Sequence, residues 1–186
     1  MAFDVEQFRS RMVYDGARPN LFEVQLRFPQ FITSLLPAAS IATDQIRFMA
    51  NASQLPPSSL GVARQSYFGR EVKFPGDRVF PDWSINVVND ESFAIRDAFE
   101  AWSDAINSHS SIYRNPNAIN SGGYAVDARI HQFGKGDPSI PIKTYYFVGL
   151  FPVQVDPITV AWNANDQIEE FGVTFSYQYW EARSTT

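Results

Sequence analysis

Ile168-Glu169-Glu170-Phe171-Gly172-Val173-Thr174-Phe175-Ser176-Tyr177-Gln178-Tyr179-Trp180 carries the pattern that decides the fold class of this chain. Phe171, Val173, Phe175, Tyr177 and Tyr179 fall on one side of a two-residue period, and Glu170, Gly172, Thr174, Ser176 and Gln178 fall on the other. Side chains of a strand point alternately to opposite faces, so this phase predicts one long strand over 168–180 with a single buried face. The same reading extends upstream. Residues 21–28 set Phe22, Val24, Leu26 and Phe28 against Glu23, Gln25 and Arg27, and residues 83–88 set Trp83, Ile85 and Val87 against Ser84 and Asn86. Alternation of Ile46, Phe48, Ala50 and Ala52 predicts a strand over 46–52, closed by Leu55-Pro56-Pro57-Ser58. Further strands are predicted at about 124–133, 141–150 and 155–162. Tyr145-Tyr146-Phe147-Val148 is apolar on both faces, as a strand covered by core on one side and a neighbour on the other would be.

Two helices interrupt this β pattern. Val5, Phe8 and Met12 recur at helical spacing among charged residues and predict a short amphipathic helix at 4–13, broken by Gly16. Phe93, Ile95, Ala98, Phe99, Trp102 and Ile106 form an apolar stripe, predicting that 92–107 packs across a sheet. Asn89-Asp90-Glu91-Ser92 supplies acceptors and negative charge for its N-terminus. Pro75-Gly76-Asp77 reads as the turn of a hairpin whose arms are 66–74 and 83–88. Gly134-Lys135-Gly136-Asp137 reads as a hairpin loop. Residues 29–42 are apolar without a period and contain Pro37, which predicts a covered loop or flap.

A chain of 186 residues supplies one good core, so 1–186 reads as a single domain. No stretch approaches the roughly 20 apolar residues of a membrane span, and Met1-Ala2-Phe3-Asp4-Val5-Glu6 lacks a signal-peptide pattern, so the expectation is synthesis in the cytoplasm without membrane insertion. The absence of cysteine excludes disulfides and thiolate metal sites. A net charge of −5 with scattered Lys and Arg disfavours a surface that grips nucleic acid. Aromatic content is high, with 16 Phe, 8 Tyr and 4 Trp, more than a small core hides, which points to subunit contacts.

Catalytic patterns are weak throughout. His109 and His131 have no second ligand at metal spacing and read as surface or interface histidines. Asp77, Arg78 and Asp82 could form a hydrolase acid pair tuned by a cation, but beside a Pro-Gly turn they read better as a carboxylate satisfying backbone N–H groups with Arg78 bracing it. Trp83, Trp102, Trp162 and Trp180 could stack on sugars, yet Trp83 and Trp102 lie on inward-facing periods and Trp180 ends the long apolar face. No cofactor or metal is expected, nor an enzyme.

Taken in order, Ala17-Arg18-Pro19-Asn20-Leu21-Phe22, Leu55-Pro56, Gly76-Asp77-Arg78, Asp82-Trp83, Asn89-Asp90-Glu91, Phe99 with Trp102, Gly149-Leu150-Phe151-Pro152, Trp162 and Tyr179-Trp180-Glu181 resemble the tail tube proteins of contractile-tailed bacteriophages. The segment 29–42 is longer here than in the family pattern. The resemblance implies a β-sandwich or barrel of two antiparallel sheets with a flanking α-helix, assembling into hexameric rings that stack into the inner tail tube. It implies a virion location in the tail, a contractile sheath outside, baseplate tube-initiator and tail terminator proteins at the ends, and a tape measure protein and DNA passing through the lumen. Assembly residues carried over with it are Phe22, Gly76, Asp77, Arg78, Asp82, Trp83, Asn89, Asp90, Trp102, Leu150, Pro152, Trp162, Tyr179 and Trp180. Glu170, Thr174, Ser176 and Gln178 are expected at the lumen or in solvent, and Glu100 and Asp104 on a sheath-facing helix surface. The related alternative is the tube of a type VI secretion or phage-derived bacteriocin apparatus, and the distant one is a carbohydrate-binding β-sandwich module.

Overall fold

The computed structural model describes residues 4–13, 16–108, 123–137 and 139–184. Nine strands and four helices are found among them: α1 Val5–Arg11, β1 Phe22–Leu26, α2 Gln30–Leu35, α3 Ala38–Met49, β2 Ala50–Ser53, β3 Ser59–Tyr67, β4 Arg70–Val79, β5 Trp83–Val88, α4 Ala94–Ile106, β6 Val126–Phe133, β7 Pro141–Val155, β8 Glu170–Ser176 and β9 Tyr179–Ser184. His109 and the connection through Asn115-Pro116-Asn117 lie outside the described residues.

The architecture turns on β7, a strand of 15 residues shared by two antiparallel sheets. Its first half pairs with β6 and β9, and β6 pairs in turn with β1. Its second half pairs with β8, followed by β5 and β2. Gly149, expected to lie near the end of a strand, sits within this one at φ +66, where a side chain is disfavoured and the strand can bend from one sheet to the other. The strand predicted at 155–162 does not form. Pro157 and the turn residues Asn163, Asn165 and Asp166, the last at φ +60, leave 156–169 irregular.

Between the sheets, Trp83 stacks on Phe147 at 4.3 Å and on Phe175 at 5.4 Å between ring centroids, joining the inner faces. Helix α4 closes the core through Phe99 and Trp102, whose rings meet Phe175 and Phe28. The alternation of 171–177 holds as expected, with Phe171, Val173, Phe175 and Tyr177 buried. The run is nevertheless two strands. A break at Tyr177-Gln178 reverses the phase, so Trp180 opposes buried Phe147 while Tyr179 opposes Val148 and is 43% exposed.

Residues 29–42 are not a loop, and the strand predicted at 46–52 is mostly helix. Pro29 and Pro37 stand at the N-caps of α2 and α3, where a missing N–H costs nothing. Ala39, Ala42 and Ile46 then make a buried stripe three and four residues apart, whereas Phe48, which the alternation paired with Ile46, is 80% exposed. Only Ala50–Ser53 enters the sheet. Helix α4 also starts differently. Phe93 at φ +54 holds its N-cap position, the Ser92 hydroxyl accepts from the Ala94 N–H, and Asn89 is drawn away from the helix to Glu169.

The hairpin is a further correction. Its arms are β3 and β4, which pair only with each other, and the turn is Phe68-Gly69 at φ +46 and +77. Two positive φ values suit the twist of paired strands better than a Pro-Gly turn does. Pro75 and Gly76 lie inside β4, at a bulge where Pro75 opposes Val62 and a Cβ on Gly76 would come within 2.9 Å of the Gly61 backbone. Trp83–Val88 therefore belongs to the main sheet and is not the second arm.

Candidate assembly surfaces

Three surfaces remain once the core is closed. The outer face of the first sheet carries charge arranged in register. Glu23 lies opposite His131, Gln25 opposite Arg129, and Tyr146 opposite both Arg129 and Glu181. The Glu23 carboxylate accepts from Arg47 Nε at 2.8 Å and from Gln25 Nε2 at 2.6 Å. Burial raises the Glu23 pKa, but the hydrogen bonds from Arg47 and Gln25 and the nearby positive charge outweigh it and hold the carboxyl below its ordinary value. His131 Nδ1 lies 2.9 Å from Thr144 Oγ1, and burial lowers its pKa against the opposing pull of Glu23. Arg129 and Arg183 both lie over the Tyr146 ring, at 5.2 and 5.1 Å.

The outer face of the second sheet is different in kind. Ser84 opposes Thr174, Asn86 opposes Gly172, Gln154 opposes Thr174 on the other side, and Glu170 ends the row. None of these is a cation. Gln154 donates to Asp156 Oδ1 at 2.6 Å, and the other oxygen of that carboxylate lies so close to Gly172 that a Cβ there would overlap it. Glu170 and Gln178 are exposed and Thr174 and Ser176 half-buried, outside the core as expected.

The third surface is the hairpin. Leu60, Val62, Tyr67, Phe68, Val72, Phe74 and Val79 are all exposed, Phe68 at its tip by 90%. Tyr67, Val72 and Phe74 share one face with Ala63, while Val62 and Pro75 lie on the other, so both faces of the pair carry apolar groups.

Most residues singled out from the sequence are supports for these surfaces. Trp83, Trp102 and Leu150 are buried, and Pro152 is buried in β7. The Trp83 indole donates to the Gln54 carbonyl at 2.9 Å and the Trp102 indole to the Tyr124 carbonyl at 2.8 Å. Phe22 and Trp180 pack against the core, and Trp180 donates to the Pro57 carbonyl, tying the base of the hairpin to β9. Asn89 donates to Glu169, and Asp90 accepts from Ser92 and Gln45. Arg78, in strand β4, donates to Ser58 Oγ, and among the described residues it pairs with no carboxylate. Among the described residues no hydrogen bond or ion pair joins Asp77, Arg78 and Asp82, and Asp77 and Asp82 are exposed. Trp162 is fully exposed at 105% in the 156–169 loop, so the four tryptophans form no common platform. Glu100 is exposed and bonded to Arg96. The sequence reading missed Phe68 and the Glu23-Arg47-His131 group. Phe68-Gly69 is a hairpin signal that competes in sequence with Pro75-Gly76, and the alternation over 46–52 places Arg47 on a strand.

Chains of similar fold occur in solved structures of contractile injection apparatus. The anti-feeding prophage tube-terminating cap superposes with a TM-score of 0.66 at 12% identity, covering 94% of this chain and 95% of that one. A chain of the extended sheath–tube complex of an extracellular contractile injection system gives 0.56 at 12% identity, covering 99% and 100%. At the level of sequence, 170 residues are 29% identical to the tail tube protein gp19 of Enterobacteria phage T4, covering 90% of this chain and 92% of that protein. A tail tube protein of Serratia phage KSP90 is 28% identical over 185 residues, covering 97% and 96%. Residues 17–183 match the phage tail tube protein family, and the chain belongs to that family.

Proposed function

We propose that residues 1–186 act as one tail-tube domain, six copies of which close into a ring, and that the rings stack into the inner tube of a contractile phage tail. The observation that carries this reading is the hairpin β3–β4. Two strands alone are marginal in water, and seven exposed large apolar side chains on a pair that joins neither main sheet call for cover from another subunit. Strands β1, β9 and β2 each have one paired edge and offer the other for backbone pairing between neighbours. A heterologous contact that closes gives the ring, and one that repeats without closing gives the stack.

With about four strands from each of six subunits at ~4.8 Å spacing, and the strands tilted as closure of a barrel requires, the backbone barrel is roughly 40–50 Å across, wide enough for duplex DNA. The cation-free row of Ser84, Asn86, Gln154, Glu170 and Thr174 suits its lining, because a conduit must not form counterion-releasing contacts with each phosphate it passes. DNA and a tape measure protein are transient occupants on this reading, with a sheath outside, initiator and terminator proteins at the ends, and no catalytic role. The solved sheath–tube complex of similar fold supports the sheath partner. Trp83, Trp102, Leu150 and Pro152 serve assembly by fixing the sheets, Gly76 and Arg78 by fixing the hairpin base, and the exposed Asp77 and Asp82 as groups free to meet a neighbouring subunit. The protein is made in the host cytoplasm and resides in the virion tail.

Electron microscopy of the concentrated protein, alone and seeded with tails from a lysate, tests the reading. Hollow six-fold rings or tubes of uniform bore are expected. A particle that stays monomeric under both conditions and is missing from the tails would overturn it, and a tube from particles without DNA would redirect it to a secretion or bacteriocin apparatus.

A further inference from the structure

The irregular segment 156–169 and the start of β7 are complementary. Ile158 packs against the core and anchors the segment, while Val160, Trp162 and Ile168 project from it at 79%, 105% and 74% exposure. Residues 156–170 contain Asp156, Asp166, Glu169 and Glu170 and no Lys or Arg. At the opposite end of β7, a cleft of about 340 Å³ opens between Pro19, Leu55, Ile142 and Tyr145, with Arg18 and Lys143 beside it. A cavity of roughly 150 Å³ holds a benzene ring, so this cleft has room for the two fused rings of an indole.

We infer that Trp162 of one subunit inserts into the Pro19–Leu55–Ile142–Tyr145 cleft of a second copy of this chain, with the acidic segment around it facing Arg18 and Lys143. The inference rests on the proposed polymer and names one of its contacts. Knob and socket follow and precede opposite ends of β7, a contour of roughly 40 Å along the chain, so a contact between them joins two different patches of neighbouring subunits and, if it does not close, propagates. Other exposed apolar groups fit the socket less well. The hairpin tip is flanked by Arg64, Arg70 and Lys73, of which Glu71 pairs only Arg64, so it keeps a net positive charge that would meet Arg18 and Lys143 as like charges, and α1 with its cap balances Asp4 and Glu6 against Arg9 and Arg11 and brings no net negative charge. Burying one indole removes roughly 150–250 Å² from water, the scale of an interface anchor.

The natural absence of cysteine makes the test specific. Ala17→Cys and Asn163→Cys chains, which keep Trp162 and the apolar walls of the cleft, are prepared separately, mixed at assembly, and treated with a short bis-maleimide. The expected product is a dimer linking the two variants, present in tubes and lost when the subunits are dissociated before treatment. Trp162→Ala should raise the concentration needed for assembly by roughly 30-fold, the scale of an interface hot spot, with Trp162→Phe recovering part of it. Its monomer melting temperature should not move, because the side chain is fully exposed. Tubes of the two cysteine variants that form without a cross-link, or an Ala17→Cys chain that links instead to Phe8→Cys, would overturn this contact and leave the tube reading standing. Wild-type protein that forms no tube even on seeding would remove the tube reading, and this contact with it.

Discussion

Trp83 is where the two sheets meet. It belongs to β5, its ring lies on Phe147 of β7 and Phe175 of β8, and only 1% of it is exposed. Trp83→Ala should therefore cost about 3–5 kcal/mol, from lost transfer energy and the cavity left behind. Trp83→Phe keeps part of the stacking but removes the donor to Gln54 and Ser53 and one ring of buried volume, costing about 1–3 kcal/mol. Urea unfolding of the unassembled protein gives both values, and an alanine variant within 1 kcal/mol of wild type would show that the stack does not hold the sheets. Charged residues on the outer face set the pH dependence. His131 is held below its ordinary pKa by burial, so as pH falls through about 6.5 the unfolded chain takes up the proton first. Stability is full above that value and declines until His131 itself protonates. Glu23 is also held low, so its contribution is present above the ordinary carboxylate range and is lost at more acid pH as the folded carboxyl protonates. Melting temperature followed from pH 8 to pH 3 should fall in these two stages. His131→Gln should flatten the first and Glu23→Gln the second, with Arg47 then left without its carboxylate.

At the scale of elements, legibility depended on whether one local pattern had a rival. The β8 alternation had none, and Phe171, Val173 and Phe175 face inward as read; so do the stripe residues Ile95, Phe99 and Trp102 of α4. Residues 38–52 had two. Ile46, Phe48, Ala50 and Ala52 fit a strand, while Ala39, Ala42 and Ile46 fit a helix, and small alanines carry little hydrophobic signal although their size lets α3 approach the core closely. The choice was made by tertiary contact, which alternation alone does not encode. This yields a direct check. If 38–49 is helical, Ile46→Ala costs about 2–5 kcal/mol while Phe48→Ser, on the opposite side and 80% exposed, changes stability by less than about 0.5 kcal/mol. A strand would make the two comparable. The assembly surfaces were less legible than the core. Trp162 looks like any core tryptophan in sequence, and its exposure follows only from Pro157 and Asp166 keeping its segment out of the sheets. The group around Glu23 joins β1, α3, β6 and β7 across more than a hundred residues, and no local pattern signals it.

For the whole molecule the consequence of the fold is a division of charge between two outer faces. Arg129, His131 and Arg183 stand on one, and the row from Ser84 to Thr174 on the other carries no cation. If the second face lines the bore, its neutrality is a transport property: each phosphate contact weakens with salt by a slope of about −0.9 in log affinity against log concentration, so a cationic lining would slow passage most at low salt. Thr174 is half-buried at mid-strand, where replacement costs less than about 1 kcal/mol. Thr174→Lys would add about six cations to every hexameric ring, repeated along the tube. Virions carrying it should assemble tails of normal length, eject DNA more slowly than wild type, and recover as ionic strength rises, whereas Thr174→Glu should eject at the wild-type rate. Salt-dependent slowing by the lysine alone would assign this face to the lumen. Equal ejection by both variants would move the bore to another surface, with the Glu23, Arg129 and Tyr146 face next in line.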